Sequence, residues 1–162
     1  MYRIAVLTIS DKGAAGLRED RSGPMIIQKI AHVGEVVYQA ILPDERVLIA
    51  DELRRICDGC LADLILTTGG TGFSPRDITP EATNDVVERT VPGIPEAIRA
   101  KSLAITDRAM LSRATAGIRG RTLIINLPGS PKAAEECLDV VLPVLSHGLG
   151  ILTSQESECA RT

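Results

Sequence analysis

The stretch Leu64-Ile65-Leu66-Thr67-Thr68-Gly69-Gly70-Thr71-Gly72-Phe73-Ser74-Pro75-Arg76-Asp77-Ile78-Thr79-Pro80 reads as strand, loop and helix start in one pass. Its apolar opening is short and flat in hydrophobicity, as expected of a strand covered on both faces. Thr79-Pro80 then has the composition of a helix N-terminus, with proline in the first turn. Between them Gly69, Gly70 and Gly72 give the backbone access to positive φ and let it approach a ligand closely. Loops of this kind form concave nests of N–H groups that favour phosphate, although a tight strand-to-helix connection needs glycine too. Asp77 in the same loop repels an anion unless a cation lies between, so loop and carboxylate together point to a metal-bridged phosphate, as in a nucleotide.

Two familiar phosphate signatures do not fit. A P-loop ends in Gly-Lys-Ser/Thr, whereas Gly72 is followed by Phe73-Ser74; the dinucleotide fingerprint wants a third glycine where Pro75 stands. Nucleophilic catalysis has little support either. His32 and His147 are far apart, and no Gly-x-Ser-x-Gly elbow surrounds any serine.

Working outward, apolar runs alternate with helical patterns, which predicts an α/β fold: three layers, αβα, around a mostly parallel sheet in a single domain. Strands are expected at residues 3–9, 35–42, 63–67 and 123–126, with a further short one within residues 113–118. Helices are expected from Ser22-Gly23-Pro24, over residues 45–57, 80–89 and 96–105, and from Ser130-Pro131 to about His147. Residues 1–152 form the domain, and residues 153–162 read as a polar C-terminal tail. Helices that start just after strands gather their positive ends at the carboxyl edge of a parallel sheet, where ligands bind. Carboxylates at strand ends or in loops, Asp11, Asp20, Asp44 and Asp77, are the candidates to hold magnesium there. Asp44, directly after the second strand, reads by its position alone first as the N-cap of the next helix.

Composition narrows the partners. The 162 residues carry a net charge of −3, with only Phe73, Tyr2 and Tyr38 as aromatics. Neither the basic surface of a duplex binder nor the stacking platforms of a single-strand binder is present, so a small molecule rather than nucleic acid is expected. No apolar run reaches membrane-spanning length, and no signal-peptide pattern opens the chain, so a cytoplasmic protein is expected. Its four cysteines are then reduced thiols. Cys57-x-x-Cys60 ends a predicted helix without a second pair at zinc-site spacing, and is read as structural.

Several motifs in order resemble a known family. They are Thr8-Ile9-Ser10-Asp11, Asp20-Arg21-Ser22-Gly23-Pro24, Leu42-Pro43-Asp44-Glu45, the glycine loop through Pro75-Arg76-Asp77-Ile78-Thr79-Pro80-Glu81-Ala82-Thr83, Met110-Leu111-Ser112-Arg113, Ala116-Gly117-Ile118-Arg119-Gly120, and Asn126-Leu127-Pro128-Gly129-Ser130-Pro131. Together they resemble the molybdenum-cofactor biosynthesis proteins of the MogA/MoaB type, including the G domains of plant cofactor-synthesis proteins and gephyrin. The resemblance implies a molybdopterin adenylyltransferase that moves AMP from Mg-ATP to the terminal phosphate of molybdopterin and releases pyrophosphate. By the same resemblance, Asp44 and Asp77 match the acidic positions of catalysis and Mg2+ binding. Gly69, Gly70, Thr71 and Gly72 match the loop that contacts nucleotide and pterin phosphates, and Ser10, Asp11, Pro128, Gly129 and Ser130 match other pocket-lining positions. Ser130 departs from the Asn or Gln of relatives, a change that a cap position tolerates. A homotrimer and a separate molybdenum-insertion protein as partner are further implications. A non-catalytic molybdopterin carrier of the same fold is the alternative, as is a related enzyme with another phosphorylated substrate.

Overall fold

The computed structural model describes residues 1–154. Six strands form one sheet in the order β2-β1-β3-β6-β5-β4. They are β1 (Tyr2–Ile9), β2 (Gly34–Leu42), β3 (Leu64–Thr68), β4 (Arg89–Thr90), β5 (Ala116–Arg119) and β6 (Thr122–Leu127). The pairs β1–β2, β1–β3 and β3–β6 are parallel, while β5 runs antiparallel to both β6 and β4. The single α/β domain with a mostly parallel sheet is therefore as expected.

Alternation along the central strands feeds two cores. Ile4 and Val6 of β1, Leu64 and Leu66 of β3, and Ile125 and Leu127 of β6 face one layer. That layer is built by α2 (Ser22–Ile30), α5 (Gly93–Leu103) and α6 (Pro131–Leu152) through Ile26, Ile30, Ile98, Leu138 and Leu145. Ala5, Leu7, Ile65 and Ile124 point the other way, onto α3 (Arg46–Asp58) and α4 (Thr79–Asn84), where Ile49, Leu53 and Ala82 meet them. Each large aliphatic side chain so buried contributes about 1.5–3 kcal/mol. No helix among the described residues is long and apolar enough to cross a membrane.

Several elements differ from expectation, among them α5, which starts at Gly93 and not at residue 96. Helix α4 stops at Asn84 instead of continuing to residue 89, because β5 offers the following backbone a ladder. Glu88 N–H donates to Ile118 O at 2.9 Å and Val91 N–H to Ala116 O at 2.9 Å, framing β4. Gly117 makes room for this, since a Cβ there would lie 2.6 Å from Val87 Cγ1. The segment after β1, where no helix was expected, contains a turn of helix, α1 (Asp11–Ala14), capped by Ser10, whose Oγ accepts from Gly13 N–H at 3.0 Å. Helix α6 runs past His147 to Leu152 despite Pro143 and Gly148, because Leu145, Leu149 and Gly150 are buried. Thr153 is buried too, its hydroxyl bonding Leu149 O at 2.7 Å. Residues 155–162 of the expected tail, including Cys159, lie outside the described residues.

Candidate active site

The chain leaves β1 toward β2 on one side and β3 on the other, so the order of the sheet reverses beside β1. Open α/β sheets bind ligands at the carboxyl ends of strands flanking such a point. A cleft of about 680 Å³ lies there, between Thr8, Ile9 and Ser10 after β1, Thr68, Gly69 and Gly70 after β3, and Gly129, Ser130 and Pro131 after β6. Its size suits a nucleotide or a pterin-like molecule. Asp44 and Asp77 both line it.

Glycine is required at the loop for close packing. Gly69 has φ +101°, and a Cβ on it would meet Ile9 O at 2.3 Å. A Cβ on Gly129 would lie 3.2 Å from Gly69 Cα, so these two turns touch through bare backbone. Gly69 N–H donates to Leu127 O at 3.1 Å, and Thr79 Oγ1 donates to Gly69 O at 2.9 Å. The hydroxyl of Thr79 thus ties the loop instead of capping α4. Ser130 does cap α6, accepting from Ala133 N–H. Asp20 serves α2 in the same way: its Oδ1 accepts from Gly23 N–H at 2.9 Å and its Oδ2 from Thr8 Oγ1 at 2.7 Å.

Asp44 is not a helix cap. Glu45 precedes α3 and makes no side-chain cap bond. Instead Asp44 and Asp11 exchange two bonds, Asp11 N–H to Asp44 Oδ2 at 2.9 Å and Asp44 N–H to Asp11 Oδ1 at 3.0 Å. Arg76 closes this arrangement with two bonds of 2.9 Å to Asp11 and one of 2.9 Å to Glu45. The two carboxylates consequently differ. Arg76 beside it holds the Asp11 carboxyl below the usual range. Burial pushes Asp44 up, with the charges of Asp11 and Asp77 adding to it and the Asp11 N–H and Arg76 only partly offsetting. The Oδ2 of Asp77 accepts from Ser74 N–H at 3.0 Å, which points its carboxylate back along its own loop.

Such an arrangement suits a divalent cation that arrives with phosphate. Among the described residues no group of three or more His, Cys, Asp or Glu side chains is placed to hold an ion unaided. Asp44 shares the cleft with Asp77 and, among the described residues, has no cation bonded to its carboxylate, whereas Asp11 is already matched by Arg76. The donor set that fits is two carboxylates completed by ligand oxygens and water.

Of the residues expected in the site, Ser10, Asp44, Gly69, Gly70, Asp77, Gly129 and Ser130 share the cleft wall. Asp11, Thr71, Gly72 and Pro128 are not among the lining residues. Pro128 O accepts from Thr68 Oγ1 at 2.7 Å, and Thr71 O from Arg113 N–H at 3.0 Å. Arg18, Glu19, Arg21 and Ser22 also stand in this wall, beyond the residues expected there. A charged run leaving β1 for a helix sits at the same edge as the glycine loop, and that position was the signal for them.

Comparison with known proteins gives one consistent result. Residues 5–147 match a family described as a probable molybdopterin binding domain. The chain is 43% identical over 152 residues to the molybdopterin adenylyltransferase of Helicobacter pylori strain 26695, covering 92% of this chain and 86% of that protein. It is 44% identical over 163 residues to gephyrin of Dictyostelium discoideum, covering 94% of this chain but 23% of gephyrin. Among solved structures, the molybdopterin biosynthesis enzyme MoaB of Thermus thermophilus superposes with a TM-score of 0.90 at 50% identity, covering 95% of this chain and 98% of that one.

Proposed function

Since the chain belongs to the MogA/MoaB family of molybdopterin-binding proteins, we propose that its cleft transfers AMP from ATP to the terminal phosphate of molybdopterin. The protein is on this basis a molybdopterin adenylyltransferase of molybdenum cofactor biosynthesis. The observation that carries the reading is the meeting of Asp44 and Asp77 in one cleft among glycine turns and the N-termini of α2 and α6.

In this reaction a terminal phosphate oxygen of molybdopterin attacks the α-phosphorus of ATP. The bond from that phosphorus to the bridging oxygen breaks, and pyrophosphate leaves. A phosphate monoester is already largely dianionic near neutral pH, so no strong base is required, in keeping with a cleft wall that contains no histidine. Catalysis then rests on alignment and charge stabilisation. Asp44 and Asp77 would hold Mg2+, which when bound neutralises phosphate charge. Arg18 and Arg21 stand in the same wall as the α2 and α6 helix ends, a combination that favours phosphate oxygens. The turns at Gly69, Gly70 and Gly129 let the substrates approach the backbone closely.

The same reading has the protein working in the cytoplasm as a homotrimer and passing adenylylated pterin to a separate molybdenum-insertion protein; the family resemblance supports these assignments. The test is incubation of the purified protein with molybdopterin and Mg-ATP, with Asp77→Ala as control. Formation of adenylylated pterin and pyrophosphate by the wild type, lost in a folded Asp77→Ala protein, is expected. Undiminished transfer by folded Asp77→Ala overturns the assignment, and tight pterin binding without turnover in the wild type makes the protein a carrier.

A further inference from the structure

The loop of residues 69–77 takes much of its shape from a side chain outside the cleft. Strand β5 is antiparallel to the central strands, so its entrance, unlike theirs, lies at the carboxyl edge of the sheet. Arg113 sits just before that entrance, beside the glycine loop. Its backbone N–H donates to Thr71 O at 3.0 Å, its Nε to Gly72 O at 2.7 Å, and its Nη2 to Asp77 O at 2.8 Å. One residue therefore holds the carbonyls on both sides of the turn formed by residues 73–76. The remaining guanidinium nitrogen, Nη1, pairs with Glu81 Oε1 in the first turn of α4. The other Glu81 oxygen is buried without a hydrogen-bond partner, so this carboxylate depends on Arg113.

A glycine-rich loop loses much conformational entropy when it is fixed. The bonds within it, Asp77 N–H to Ser74 O and Ser74 N–H to Asp77 Oδ2, shape the turn but do not tie it to the sheet. Gly69, Gly70 and Arg76 are held by Leu127, Thr79, Asp11 and Glu45, and Arg113 supplies the tie at Gly72 and at Asp77, a residue that lines the cleft. Arg113 does not line the cleft. Building on the adenylyl-transfer reading, we infer that Arg113 is a positioning residue for that reaction: it staples the glycine loop so that Asp77 faces the substrates. Only a guanidinium has the planar fork of donors that reaches Gly72, Asp77 and Glu81 together; an ammonium cannot span them.

Arg113→Lys is the informative variant, because it keeps a cation beside Glu81 while removing the fork. Arg119→Lys is the control. Arg119 lies at the exit of β5 and spends its guanidinium on Asp58 at 2.7 and 2.9 Å and on Val86 O at 3.1 Å. Two readouts are needed: amide hydrogen exchange of the peptide covering residues 69–77, and the separate effects on kcat and KM. For Arg113→Lys we expect faster exchange in that peptide and kcat down about 100-fold, the scale of a small misplacement of a reacting group. KM for ATP should stay within about threefold, because the wall that binds the nucleotide does not include Arg113. Arg119→Lys should change neither loop exchange nor kcat. Wild-type exchange in Arg113→Lys, fast exchange with wild-type kcat, or equal losses in Arg119→Lys would each overturn the inference. If the wild type forms no adenylylated pterin, the reaction reading falls, and the exchange arm still decides whether Arg113 holds the loop.

Discussion

Replacing Gly70 by alanine attacks the point where loop, helix and acidic residue meet. Gly70 has φ +66°, and a Cβ there would lie 2.3 Å from Thr79 Oγ1 and 3.1 Å from Asp44 Oδ1. Thr79 cannot simply step aside. It is fully buried, its hydroxyl holds Gly69 O at 2.9 Å, and its N–H holds Gly70 O at 3.1 Å. The left-handed backbone costs a non-glycine residue about 1–2 kcal/mol, and displacing the buried hydroxyl from its partner adds about 1–3 kcal/mol. Gly70→Ala should therefore lose about 2–5 kcal/mol of stability in urea denaturation. Thr79→Ala removes the clashing oxygen, so the double variant should be more stable than the sum of the single losses by about 1 kcal/mol or more. Strict additivity, or a Gly70→Ala protein within about 1 kcal/mol of wild type, would refute the packing argument.

Three further outcomes follow from the same geometry. Asn126 is buried, donates to the hydroxyls of Thr67 and Thr83 at 2.9 Å each, and accepts from Thr115 N–H at 3.2 Å. Asn126→Ala should cost about 2–4 kcal/mol in urea unfolding, because these groups lose their shared partner. Burial first, then the charges of Asp11 and Asp77, raise the Asp44 pKa in the folded state, so the folded protein is penalised for ionising Asp44 as pH rises. Asp44→Asn should accordingly stabilise the ligand-free protein at neutral pH, an advantage that shrinks as pH falls toward the ordinary carboxylate value of about 4 and that denaturation at both pH values would reveal. Burial pushes the Cys57 thiol up to about 11, while Cys60 is exposed; iodoacetamide at neutral pH should label Cys60 in the native protein and Cys57 only after unfolding.

The central strands were legible because parallel strands buried on both faces must be apolar throughout, as Leu64, Ile65 and Leu66 are. The glycine loop and Asp77 were legible because their residue types conflict unless something binds between them. What escaped reading depends on partners distant in sequence. No local pattern ends α4 at Asn84; Gly117 and the free edge of β5 do. Asp44 had the local form of a cap, and only its exchange of bonds with Asp11, 33 residues away, gives it another task. Arg113 stood within a motif that resembles the family, yet its hold on Gly72 and Asp77 crosses 41 and 36 residues. Helix α6 was expected to end at about His147, but its apolar face continues through Leu149.

Adenylyl transfer stands or falls on which phosphorus of ATP is attacked, and label followed from ATP into the pterin reads that out. The wild-type protein would be given molybdopterin, Mg2+ and ATP carrying radioactive phosphorus at the α position, and in a parallel reaction at the γ position. Attack at the α-phosphorus moves α label to the pterin and leaves γ label in pyrophosphate, and this is the expected result. Gamma label on the pterin, or labelled ATP unchanged while pterin is bound, would contradict it.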